Sequence, residues 1–185
     1  YHIVSKSIEF KDKNGKIKYR SDISKNEIAR EFITNAKRNH IKFKYVLADI
    51  WFSANENMQH IEDMNKKFVF GCKSNRLLRF DKVWHKLSEL KLSDEQVIIC
   101  YVKGLSFPVA ISKKVFINED QSTGELYLIS NDLSLSGKQL YNVYQKRWII
   151  EEFHKSIKQN ASLAKSPTKT VRTQSNHIFC TLLAF

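Results

Sequence analysis

Tyr45-Val46-Leu47-Ala48-Asp49 is the stretch from which the rest of this chain can be read. Four apolar residues, two of them strong strand formers, stop abruptly on a carboxylate. The pattern predicts a short buried strand with an acid at its carboxyl end, the place where open α/β sheets bind their ligands. Immediately after it, Ser53 is positioned to start a second helix, expected over 54–65.

Upstream, Ser24 precedes Glu27 by three residues, the spacing of a capping box. Ile28, Phe32, Ile33 and Ala36 then share one side of a helix expected to end around 37–40. Residues 1–10 alternate as a strand does, and Lys11-Asp12-Lys13-Asn14-Gly15-Lys16 carries an Asn-Gly turn. Downstream, 67–130 changes to strands: Phe68-Val69-Phe70, 97–102, 109–117 and 126–129, the last two joined by a turn-rich loop over 118–124. One helix is expected over 137–160. Pro167 blocks its continuation into a basic, Ser/Thr-rich segment over 165–174, and a last helix starts near Ser175. This order gives an α/β fold, with 67–130 part core strand and part β-rich insertion.

The 185 residues suit one domain, or one domain with an insertion. Hydrophobic residues at 42% and aromatics at 12% exclude a disordered chain. A net charge of +12 calls for a polyanionic partner, nucleic acid or an anionic membrane surface. No apolar run approaches the roughly 18 residues of a membrane span, and no signal peptide stands at the start, so nucleic acid is the better match. Cys72, Cys100 and Cys180 form no zinc pattern and read as buried thiols in a reducing compartment. The absence of Met at Tyr1 and the uncapped apolar run at 181–185 create the expectation of a piece of a longer protein.

Tyr144, Arg147, Glu151 and Lys158 stand at spacings of three, four and seven. On a single helix they fall within about 60° of one another. A carboxylate that can hold a divalent cation would then share a stripe with groups that grip phosphate oxygens. Alone, the stripe reads most simply as a solvated face, and Asp49 as a turn former or N-cap. Their combination with the strong positive charge favours a phosphodiester site. Lys73, Arg76, Lys165, Lys169 and Arg172 read either as duplex-tracking cations or as solvated loops. Trp51 and Trp148 are expected in the core, with base stacking as the alternative.

The strings 45–53 (YVLADIWFS) and 144–158 (YQKRWIIEEFHKSIK) resemble the DDE transposases of bacterial insertion sequences, in particular the IS-four-type group with its Y-(2)-R-(3)-E-(6)-K signature. All four signature positions match, and the resemblance extends over nearly the whole chain. It implies a ribonuclease-H-like mixed sheet flanked by helices, with a β-rich insertion before the last acidic residue. The chain would divide into a first part of the core (1–66), the insertion and strands (67–130) and a helical part carrying the Glu (131–185). It further implies that Asp49 and Glu151 are the second and third of three carboxylates that hold two Mg2+ ions, with Mn2+ as a substitute. Tyr144, Arg147 and Lys158 would bind DNA phosphates, joined by Lys165, Lys169 and Arg172. Implied partners are element-end and target DNA and a second copy of the protein in a homodimer, with no membrane, in a bacterial cytoplasm at the nucleoid. No residue matches the first Asp: Asp12 lies in a turn and Asp22 in a polar loop. The expectation is an N-terminally truncated core that does not cleave DNA by itself. A catalytically inactive DNA-binding remnant and a nuclease without strand transfer are the competing readings.

Overall fold

The computed structural model describes residues 3, 7–166 and 169–185. Two compact units emerge, Tyr1–Ile28 with Trp148–Phe185, and Ala29–Arg147.

The larger unit is built on a seven-stranded mixed sheet. Its strands are β3 (Tyr45–Ala48), β4 (Lys67–Cys72), β5 (Leu77–Phe80), β6 (Val83–Lys86), β7 (Val97–Val102), β8 (Pro108–Ile117) and β9 (Thr123–Ser130), in the order β3-β4-β9-β8-β7-β5-β6. β3 and β4 are parallel, with Tyr45 opposite Lys67 and Ala48 opposite Phe70, and helix α2 (Asn55–Asp63) lies between them in the chain. A parallel pair requires such a crossover, whereas β8 and β9 are joined antiparallel by the short loop at 118–122.

Strand alternation sorts the core onto two faces. Phe68, Phe70 and Cys72 of β4 join Met58 and Ile61 of α2 in one cluster, with Ile33 of α1 (Lys25–Arg38) packed against it. Val69, between the two phenylalanines, points the other way and meets Ala110, Leu128, Leu140 and Tyr144 beneath α3 (Gly137–Gln145). The sheet is thus covered on both faces, consistent with a ribonuclease-H-like transposase domain.

The smaller unit holds the β1 (Ser7–Lys11) and β2 (Ile17–Ser21) hairpin, α4 (Trp148–Asn160) and α5 (Val171–Ala184). The Asn-Gly turn forms as read, with Gly15 at φ 75° and its N–H donating to Asp12 O. The capping box forms too: Glu27 N–H donates to Ser24 Oγ at 3.2 Å, and Ser24 N–H to Glu27 Oε2 at 2.8 Å. Of the strand expected over 1–10, Tyr1, His2 and Val4 to Lys6 lie outside the described residues, as does the helix break at Pro167.

Several expectations are corrected. β3 is a half-buried edge strand rather than a buried one, because among the described residues it pairs on one side only. α2 starts after Ala54, since the Ser53 hydroxyl donates to Ile50 O at 2.8 Å instead of capping. The helix expected over 137–160 is two helices. At the end of α3, Lys146 N–H bonds to Val143 O and Arg147 N–H to Tyr144 O at 2.9 Å, three-residue spacings that tighten the last turn and end it. Bulky Trp148, Ile149 and Ile150 follow, residues of lower helix propensity than the Gln-Lys-Arg before them. α5 begins at Val171 rather than near Ser175, because Thr170 caps it by accepting from Thr173 N–H at 3.3 Å.

Candidate active site

Asp49 ends β3 and opens a 3₁₀ turn over Ile50–Phe52. Its Oδ1 accepts the Trp51 N–H at 2.9 Å, which fixes the carboxylate against the turn that follows. Among the described residues, its Oδ2 makes no hydrogen bond.

The turn itself is held by side chains. The Asn57 amide donates to Phe52 O at 2.9 Å, and Arg30 Nη1 donates to Asn57 Oδ1 at 2.8 Å. Asn57 is 1% exposed, so these bonds satisfy a buried amide as well as the turn. On the other side, Arg76 Nη2 donates to the Ser53 carbonyl, and Nη1 to Asn55 Oδ1 at 2.8 Å.

Gly71 of β4 lets the pieces converge. A Cβ placed there would stand 3.0 Å from Ile50 N and 3.3 Å from the Tyr144 hydroxyl. The close approach favours glycine, and it brings the Tyr144 hydroxyl near the turn that follows Asp49. Tyr144 is buried in the last turn of α3, and the Arg147 guanidinium lies 5.5 Å from its ring. Asp49, Tyr144 and Arg147 thus belong to one unit, and Gly71 stands close to both the backbone of Ile50, the residue after Asp49, and the Tyr144 hydroxyl.

Glu151 and Lys158 belong to the other unit, in the first and last turns of α4, both exposed. Lys165 ends a 3₁₀ turn over Leu163–Lys165 that packs against α4 and α5. Lys169 and Arg172 are exposed at the start of α5. The four-residue stripe read on one helix is therefore divided: Tyr144 on α3, Arg147 in the turn, Glu151 and Lys158 on α4.

Trp51 is 77% exposed and Trp148 55% exposed, so neither is the core residue expected. Trp51 stands on the solvent side of a turn anchored from beneath, and Trp148 is the first residue of α4. Cys72 and Cys100 are buried as read, but Cys180 is exposed. Burial pushes the Cys72 thiol up to about 11, with the neighbouring Arg76 guanidinium pulling it partly back, and pushes Cys100 up to about 12.

The sequence reading missed Gly71, Asn57, Arg30 and the inward role of Arg76. Of these only Gly71 carried a local signal, a glycine inside a strand pattern.

Asp49 and Glu151 offer hard carboxylate oxygens, the donor type that small divalent cations take. The donor chemistry fits such an ion. Among the described residues, no three His, Cys, Asp or Glu side chains gather as a metal-holding group. Among the described residues, no helix is long and apolar enough to cross a membrane.

The architecture is a mixed α/β sheet with an acid at the end of a parallel strand, in the same unit as Tyr144 and Arg147. The family model described as "Transposase DDE domain" matches residues 19–185, and the chain belongs to that family. It is also 22% identical over 130 residues to a protein of Geobacillus stearothermophilus described as "Probable transposase for insertion sequence element IS5377". That alignment covers 70% of this chain and 34% of the relative, so the chain spans about a third of the relative's length. The family anticipated from 45–53 and 144–158 is the one found.

Proposed function

We propose that the chain is the catalytic part of a transposase that cuts DNA at the ends of a bacterial insertion element and joins it to target DNA. The observation that carries the reading is Asp49, an acid at the carboxyl end of a parallel strand, fixed by its own turn, with Gly71 close to both the next residue's N–H and the Tyr144 hydroxyl. The relative's description as an insertion-sequence transposase supports it, and the intact Y-(2)-R-(3)-E-(6)-K spacing supports assignment to the IS-four-type group.

On this reading Asp49 and Glu151 are two of three carboxylates that hold divalent metal, Mg2+ by choice of ligand. Bound metal supplies the activation of the attacking hydroxyl and the stabilisation of the leaving oxygen in an in-line displacement. The chain's own residues position the DNA. Arg147 offers a two-pronged grip on a phosphate, Lys158 a point charge, and Tyr144 a neutral hydrogen bond. Lys165, Lys169 and Arg172 add sequence-independent phosphate contacts along the duplex.

The first of the three carboxylates we assign to chain outside these 185 residues. Among the described residues the outer edge of β3 carries no partner strand, which leaves room for one more strand beside Asp49. The 185 residues alone would then bind DNA without cutting it. We further assign 1–66 and 131–185 to the ribonuclease-H-like core, with 67–130 contributing strands and the insertion before Glu151. A homodimer acting on two element ends, in the cytoplasm at the nucleoid, completes the proposal.

The test is a nicking assay on element-end DNA with Mg2+, using the full-length protein carrying Glu151→Ala. Loss of nicking is expected. Nicking at the wild-type rate removes Glu151 from the site.

A further inference from the structure

Arg76 reads from sequence either as a duplex-tracking cation or as part of a solvated loop. The structure turns it inward. The loop bearing it is anchored by Arg76 N–H to Lys73 O at 3.1 Å, by Leu87 N–H to Arg76 O at 2.9 Å and by Ser88 N–H to Ser74 O at 2.8 Å. From that fixed base the half-buried guanidinium reaches the segment just after the 3₁₀ turn. It donates to the Ser53 carbonyl, to Ser53 Oγ at 3.4 Å and to Asn55 Oδ1 at 2.8 Å.

The bonds continue toward Asp49. Ser53 Oγ donates to Ile50 O at 2.8 Å, and Ile50 is the residue directly after the acid. On the opposite side, Arg30 acts through Asn57 on Phe52 O. Two arginines therefore hold, through Asn57 and through Ser53, a three-residue turn whose Trp51 N–H orients the carboxylate. A planar fork suits this task, because it satisfies a carbonyl and a side-chain amide at fixed separation, which a lysine ammonium cannot do.

From these contacts we propose that Arg76 is a positioning residue: it locks the turn that aims the Asp49 carboxylate, and it does not contact DNA. The inference rests on the reading of Asp49 as a metal-holding acid, but part of its test does not. A carboxylate displaced by as little as 1 Å loses geometry for a small cation that tolerates little deviation.

The experiment compares wild-type, Arg76→Gln and Arg76→Lys in the full-length protein. Amide hydrogen exchange without DNA is measured first. Exchange over residues 49–53 is expected to quicken on the order of 10-fold in Arg76→Gln, with the strands β8 and β9 unchanged. Cleavage then follows: the Mg2+ concentration for half-maximal rate rises about 5-fold or more, while DNA affinity and its salt dependence stay at wild-type values. Arg76→Lys is expected to resemble Arg76→Gln, since charge without the fork does not restore the clamp. If Arg76→Gln fails to fold, Arg76→Lys decides alone by the same two measurements.

Two results overturn the inference. One is unchanged exchange over 49–53 together with an unchanged Mg2+ requirement. The other is weakened DNA binding in Arg76→Gln, with a salt slope smaller by about 1 and rescue by lysine, which makes Arg76 a phosphate contact. Should the wild-type protein fail to cleave, the proposed function falls, and hydrogen exchange still decides whether Arg76 holds the turn.

Discussion

The two carboxylates we assign to the metal stand in different settings. Asp49 sits at a strand end, in a turn gripped by Arg30 through Asn57 and by Arg76 through Ser53, with Gly71 admitting the Tyr144 hydroxyl from the side. Glu151 projects from the first turn of α4, on an exposed helical face. One acid lies in a turn held by contacts distant in sequence, the other on an exposed face of a helix. The family signature around Glu151 is compact in sequence, four residues within fifteen positions, although the fold divides it between α3, the turn and α4. The apparatus around Asp49 is scattered from 30 to 144, and no local motif reveals it.

The comparison is sharpest where cleavage is measured. If both acids hold the metal as proposed, Asp49→Ala and Glu151→Ala in the full-length protein should each lower the DNA cleavage rate on the order of 10³-fold. A selective loss for one of them breaks the equivalence. Next in size is the packing of the Asp49 side. Gly71→Ala forces a Cβ to 3.0 Å from Ile50 N, so we expect destabilisation of about 1–3 kcal/mol, read as a lowered thermal midpoint. An unchanged midpoint would show that the turn and Tyr144 can retreat without loss.

The other end of β3 gives a smaller effect with a pH signature. The Tyr45 hydroxyl donates to Asp132 Oδ2 at 2.6 Å. Burial pushes the Asp132 carboxyl up, but hydrogen bonds from Ser134 and Tyr45 outweigh it and leave it below the usual carboxylate range. A depressed folded value stabilises above the ordinary aspartate value of about 3.9 and is lost as pH falls through it. Tyr45→Phe should therefore cost about 1–2 kcal/mol at neutral pH, and the deficit should shrink below pH 4. A pH-independent deficit would mean that the hydroxyl's partner does not titrate.

Smallest in energy, but cleanest in contrast, are the thiols. With Cys72 raised to about 11 by burial, roughly one molecule in a thousand carries its thiolate at pH 8. Cys180, exposed on α5, should consume one equivalent of a thiol reagent while the native protein leaves Cys72 and Cys100 unmodified. Rapid labelling of Cys72 would show that the strand beneath the Asp49 turn opens readily.

Much of this was legible in the sequence, for physical reasons particular to each segment. The apolar run 45–48 can only be a strand, and its acid end follows. Ser24 with Glu27 and Asn14 with Gly15 carry their geometry in adjacent residues. The break after Tyr144 was hidden, because helical periodicity continues through 146–150 without Gly or Pro and only the tightened bonds of Lys146 and Arg147 end the helix. The β5–β6 hairpin was missed because its turn uses Asp81 and Lys82 at φ 48° and 67°, left-handed positions that usually announce themselves with Asn-Gly. Trp51 was placed inside on hydrophobicity alone, whereas the turn that holds it is anchored on its opposite side.

The most direct test of the account is metal rescue at Asp49. The full-length protein carrying Asp49→Cys is assayed for cleavage of element-end DNA in Mg2+ and in Mn2+, because a thiolate accepts the softer Mn2+ more readily than Mg2+. The account predicts loss of cleavage in Mg2+ and partial recovery in Mn2+. Wild-type cleavage by the variant in Mg2+ would contradict it.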